Sequence, residues 1–74
     1  MMAKEIHDTL ALGQLIRQHR KSMGLTQKDA AGLSGVGERF LSELERGKPL
    51  ASLGKTIQVL NRLGLKIVIH GHGE

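Results

Sequence analysis

The chain has no cysteine, no tryptophan and no tyrosine, and its single aromatic ring is Phe40. Without cysteine there can be no disulfide, no thiolate zinc site, no thiol nucleophile and no thiol redox chemistry. The same absence fits a reducing cytoplasm. One ring cannot build the platform on which single-strand binders stack successive bases. Nor can it wall an aromatic cage around a quaternary ammonium. No apolar run approaches the roughly 18 residues that a membrane span needs. The opening MMAKEIHDTL has no apolar block followed by a small-residue cleavage site, so it does not read as a signal peptide.

What is there is small and basic. Seventy-four residues make one domain with little interior to bury. Domains of this size usually gain stability from disulfides, a metal or a partner chain, and disulfides are already excluded. Hydrophobic residues at 39% with charged residues at 24% suit a folded domain rather than a disordered tail. Eleven Lys and Arg stand against seven Asp and Glu, a net charge of +4. That excess on so small a body points to a polyanionic partner.

Apolar spacing predicts four helices after a loose tail at 1–8. Leu12, Leu15, Ile16, His19 and Met23 fall on one stripe, with Arg17, Gln18, Arg20 and Lys21 assigned to the opposite face. Asp8 or Thr9 caps this helix and Gly24 stops it. Thr26 and Asp29 form a capping-box pattern for a short second helix that ends near Ser34-Gly35. Its Ala30 and Ala31 are small enough to admit a neighbouring helix. Gly35-Val36-Gly37 is a turn from which Val36 packs inward. The third helix runs from Glu38 to Arg46, with Leu41 and Leu44 inward and Glu43 and Glu45 solvated. Gly47 and Pro49 end it. The fourth starts around residues 50–52, carries Leu53, Ile57, Leu60 and Leu63 as its stripe, and closes at Gly64.

Residues 65–70 change the period from helical to two. Leu65-Lys66-Ile67-Val68-Ile69-His70 is rich in β-branched side chains and reads as a strand, ahead of a mobile tail at 71–74. A lone strand has no ladder partner, and an exposed apolar edge invites another chain. Lys66, Ile67, Val68, Ile69 and His70 therefore read as a ribbon with the same strand of a second copy, about a two-fold axis. The alternative is an extended segment folded back on its own helices.

Two helices joined through Ser34-Gly35-Val36 make a helix-turn-helix pattern. The stretch TQKDAAGLSGVGERFLSELERGK at 26–48 resembles the lambda-repressor-like (Xre-type) DNA-binding family. The matching residues are Thr26-Gln27 opening the second helix, Ala30 within it, Gly35-Val36 in the turn, and Leu41-Ser42, Leu44-Glu45 and Gly47 beyond. The likeness covers about residues 10–64. It implies an all-α, four-helix domain over 9–64, here followed by the dimerising strand. GVGERFLSELERGKP, then LGKTIQVLNRLGL, then a terminal strand also look like the HipB-type antitoxins. That narrower resemblance implies a two-chain β-ribbon, repression of the protein's own operon, and a HipA-type serine/threonine kinase toxin as partner. Only four residues follow the strand, so neutralisation is expected through the folded surface or a third protein. A plain regulator without a toxin and an interaction protein without DNA binding are the alternatives.

A recognition helix enters the major groove with its first residues facing base edges. Arg39 can grip guanine O6 and N7 with two hydrogen bonds. Glu38 can accept from cytosine N4, repel phosphate, or simply favour its helix end. Phe40 can touch a thymine methyl or pack inward, and Ser42 or Glu43 can reach the groove edge. Gln27, Lys28, Arg46, Lys48 and Lys55 are the candidate phosphate contacts, which position without specifying. Gln27 can alternatively serve as a cap. Arg17, Arg20 and Lys21 read as a solvated or partner face. The partner is thus double-stranded operator DNA bound by a homodimer, with half-sites about one helical turn apart or a multiple of it. The expected location is the cytoplasm, with the nucleoid when bound.

His7, His19, His70 and His72 are the remaining candidate ligands or acid–base groups. His70 and His72 lack a third fixed ligand, so no metal site is expected. His19 lies on the apolar stripe and reads as a core histidine. There is no nucleophile–histidine–carboxylate order and no phosphate-binding glycine loop. No catalytic residue and no cofactor is assigned, and the chain reads as a non-enzyme.

Overall fold

In the computed structural model, which describes residues 4–72, four helices follow one another. They are α1 (Thr9–Ser22), α2 (Gln27–Ser34), α3 (Glu38–Glu45) and α4 (Leu53–Arg62). α3 packs against both α1 and α2, and α2 also packs against α4. The core is Ile16 from α1, Ala30 and Ala31 from α2, Leu41 and Leu44 from α3, and Val59, Leu60 and Leu63 from α4 and its end. Leu12, Leu25, Val36, Phe40, Ala51 and Leu65 pack around it. The expected tails lie partly outside the described residues, at 1–3 and 73–74.

Local chemistry sets the boundaries. The Asp8 carboxylate accepts from Ala11 N at 2.7 Å and starts α1. At α2 the capping box forms in full: Asp29 N donates to Thr26 Oγ1 at 3.0 Å, and Thr26 N donates to Asp29 Oδ2 at 3.4 Å. Ser52 caps α4. The glycines expected to end the helices, Gly24, Gly35, Gly47 and Gly64, all have positive φ. Thr26→Ala removes the cap acceptor and is expected to lower stability by about 1 kcal/mol. Urea denaturation should show it as a lower midpoint at unchanged slope, with Thr26→Ser close to the parent.

Several expectations are corrected. Arg20 is not on an outer face, and Glu45 is not solvated: both are buried. Leu12, Gly13, Ile16 and Arg20 recur at helical spacing, so the buried stripe of α1 runs through Arg20. Met23 lies past the end of α1 and is 44% exposed. In α4 the buried arc is Thr56, Val59 and Leu60, continued by Leu63, whereas Leu53 and Ile57 are exposed. Spacing of i, i+3, i+4 and i+7 keeps the arc on one side of a 3.6-residue helix; Ile57 rotates off it, and Leu53, at the first position of the helix, is exposed. His19 is half-buried, and its Nε2 donates to the Leu63 carbonyl at 2.6 Å, tying α1 to the end of α4.

Residues 65–70 form neither helix nor strand within this single chain. Leu65 N donates to the Leu60 carbonyl at 2.8 Å, and Leu65 packs on the core. Beyond it Ile67, Val68 and Ile69 are exposed. The segment therefore does not fold back over its own helices after Leu65.

α1 meets α3 at unusually short range. A Cβ built on Gly13 would lie 2.5 Å from the Leu44 carbonyl oxygen and 2.6 Å from that of Glu45. Only a residue without a side chain admits the α3 backbone there.

Candidate nucleic-acid interface

The turn between α2 and α3 aims the candidate reading helix. α2 ends with Gly35 at φ 71°, a left-handed conformation that glycine adopts without steric cost. Val36 N donates to the Ala31 carbonyl at 3.1 Å, and Val36 packs against the core. From α4, Gln58 Nε2 donates to the Ser34 carbonyl at 2.6 Å and braces the turn. α3 then begins after Gly37 with no side-chain cap. Leu41 and Leu44 fix its inner face, so Glu38 and Arg39 stand outward and exposed.

The candidate residues fall into small groups. The Arg39 side chain is 90% exposed, with Nε 3.8 Å from Glu43 Oε2 one turn on. Lys48 Nζ reaches Glu43 Oε1 at 3.2 Å. Glu43 thus gathers two candidate DNA-contacting cations, Lys48 through a hydrogen-bonded pair and Arg39 through a looser one, both open to solvent on the cation side. Such pairs contribute little and leave both cations available. Phe40 is half-buried and packs against the core, and Lys55 Nζ lies 5.6 Å from its ring centre. That is cation–π range, so the ring steadies an ammonium group at the head of α4. Ser42 is half-buried, whereas Lys28 and Arg46 are exposed. Glu38 sits in the first turn of α3, where the helix dipole favours a carboxylate. Gln27, at the start of α2, does not cap: its Nε2 donates to Glu45 Oε1 at 3.1 Å.

That contact leads to a cluster the sequence reading missed. Arg20 Nε donates to Glu45 Oε2 at 2.6 Å, and Nη2 donates to Oε1 at 3.0 Å. Nη1 donates to the Leu25 carbonyl at 2.8 Å. The fork is bidentate, the strong geometry for this pair. The Glu45 hydrogen bond and charge hold the Arg20 guanidinium above its ordinary pKa, against the opposing effect of burial. The signal was present in the spacing, since Arg20 follows Ile16 by four residues and Glu45 follows Leu41 by four. Charge alone argued for the surface.

Among the described residues no three His, Asp or Glu side chains gather as a metal site. No helix there is long and apolar enough to cross a membrane.

A helix-turn-helix domain family model matches residues 11–67. This chain belongs to that family. The HTH-type transcriptional regulator y4mF of Sinorhizobium fredii, itself described as uncharacterized, is 48% identical over 73 residues, spanning 99% of this chain and 96% of the relative. The clp gene regulator ClgR from C. glutamicum superposes with a TM-score of 0.72 at 35% identity, over 89% of this chain and 85% of ClgR. A chain of the HipA–HipB–O2–O3 complex superposes with a TM-score of 0.85 over 95% of this chain and 99% of that one. At 20% identity that last likeness establishes a shared fold. The matched span contains all four helices, α2 and α3 among them joined by the Gly35 turn, and these relatives are described as regulators.

Proposed function

We propose that this chain is a sequence-specific repressor that binds palindromic operator DNA as a homodimer and serves as the antitoxin of a HipBA-type operon. The observation that carries the DNA-binding part is the exposed head of α3, where Glu38 and Arg39 project beside a core-anchored Phe40. In this reading Arg39 grips a guanine, Glu38 discriminates against wrong bases, and Ser42 reaches the groove edge. Phe40 has a double role, packing inward and touching a thymine methyl from its exposed rim. Gln27, Lys28, Arg46, Lys48 and Lys55 hold phosphates. Residues 9–64 form the DNA-binding domain, and 65–70 pair with a second copy. The exposure of Ile67, Val68 and Ile69 supports that pairing. The antitoxin part, with a HipA-type kinase as partner, rests on the likeness to the HipA–HipB–O2–O3 complex. The likeness to ClgR, at higher identity, favours a second reading as a regulator without a toxin. A kinase-like reading frame beside the gene separates the two.

The test is fluorescence anisotropy against DNA from upstream of the gene, with scrambled DNA alongside. Arg39→Ala is expected to lose about 1–3 kcal/mol of discrimination at each half-site and so to narrow the gap between operator and scrambled DNA. Equal, weak binding of the parent chain to both DNAs would remove the repressor reading. Val68→Lys puts a charge in the proposed ribbon and is expected to shift sedimentation from dimer toward monomer. An unchanged dimer would place the interface elsewhere.

A further inference from the structure

The buried Arg20–Glu45 pair has one more partner, Gln27, and this amide is among the proposed phosphate contacts. Glu45 lies at the end of α3 and Gln27 at the start of α2. Glu45 Oε1 accepts from Arg20 Nη2 at 3.0 Å and from Gln27 Nε2 at 3.1 Å. The Glu45 side chain is 2% exposed and Arg20 is 8% exposed, so the acceptor is fixed in place. Gln27 itself is half-buried at the rim.

A glutamine amide offers two hydrogens from nitrogen and one acceptor oxygen, and unrestrained it presents either end. An ionised carboxylate only accepts. Glu45 therefore takes an N–H and disfavours the flipped amide, whose oxygen would face its own. The two N–H bonds of the planar amide diverge, so the second is directed away from Glu45. A phosphate also only accepts, and that second N–H is the group it requires.

We propose that Glu45, held by Arg20, is a positioning residue that sets the Gln27 amide to donate to a DNA backbone phosphate. The proposal rests on the reading of Gln27 as a phosphate contact. It ties the spacing of a backbone anchor on α2 to the far end of the reading helix α3. A phosphate held at Gln27 would thereby fix where α3 sits in the groove.

The test is a cycle in the full chain, read as affinity for operator and scrambled DNA. Arg20→Met with Glu45→Leu replaces the ion pair by apolar side chains of similar size, a change that folds tolerate. Gln27→Ala in the parent is expected to weaken binding to both DNAs about fivefold, the worth of one hydrogen bond. The paired substitution should weaken binding by a smaller factor, because the freed amide can still turn an N–H to the phosphate, and adding Gln27→Ala to it should cost correspondingly less than in the parent. A full fivefold loss from Gln27→Ala in both backgrounds would overturn the positioning role. If Gln27→Ala has no effect while Arg39→Ala lowers specificity, this proposal falls and the DNA-binding reading stands. If the parent chain shows no specific binding, both fall. A second measurement needs no substitution. The Gln27 side-chain amide should exchange its hydrogens more slowly by NMR than those of exposed Gln14 and Gln18. Exchange as fast as theirs would also overturn the proposal.

Discussion

Glu45→Ala is expected to cost about 3–5 kcal/mol of folding stability. The substitution strips the Arg20 guanidinium of both bidentate contacts and leaves only the Leu25 carbonyl at 2.8 Å. A buried cation without its counter-charge must either be hydrated, which opens the seam between α1 and α3, or remain desolvated. At roughly 0.05–0.15 kcal/mol per residue, a domain of this length has about 4–11 kcal/mol in total. The loss is therefore most of the stability at the lower end of that range. Thermal unfolding followed by circular dichroism should show the midpoint falling by more than about 10 °C. Arg20→Ala should cost a similar amount by stranding the carboxylate. The paired Arg20→Met, Glu45→Leu chain should recover most of the loss, because neither charge is left alone. Additive losses in the pair would mean that the two residues act separately and would contradict the geometry.

Gly13→Val is expected to destabilise by about 3 kcal/mol or more, the upper range for overpacking. Its Cβ would sit 2.5–2.8 Å from backbone atoms of Leu44 and Glu45. Flexible side chains could yield at such distances, but a helix backbone moves only as a body. α3 would have to retreat from α1, loosening Ile16 and Leu41, both fully buried, together with the Arg20–Glu45 fork. Gly13→Ala tests the same contact with a smaller intrusion. Alanine favours a helix interior over glycine by about 1 kcal/mol. Its net loss should therefore be smaller than that of valine, and denaturant titration of both variants reads the difference. A neutral or stabilising Gly13→Val would show that α3 can move without cost. If α3 reads DNA as proposed, both variants should also bind operator DNA less tightly under conditions where they remain folded.

The four helices and the caps of the first two were legible because their determinants are local. Thr26 and Asp29 are three residues apart, and Gly35 marks the turn by its own conformation. The exposed head of α3 was likewise legible, since Leu41 and Leu44 must face inward and thereby turn Arg39 out. The Arg20–Glu45 pair was not. Its members are 25 positions apart, and each read alone is an ordinary surface charge. Helical spacing placed both on buried stripes, but residue type outweighed spacing in the reading. Gly13 carried no signal because a glycine within a helix reads as a weakness until a neighbouring backbone is seen against it. In α4 the apolar residues are more numerous than the buried positions, so a stripe through Leu53 and Ile57 looked as good as the one through Thr56 and Val59.

The exposed segment after Leu65 also bears on how the chain behaves when crowded or newly made. Short apolar, β-branched windows without proline are the seeds of fibrillar aggregation. Here Ile67, Val68 and Ile69 stand open to solvent, bracketed by Lys66 and His70. The bracket limits the uninterrupted apolar run to three residues, and the Lys66 charge acts as a gatekeeper against stacking of many copies. Removing that charge would lengthen the exposed apolar run by one position and favour open-ended stacking of copies.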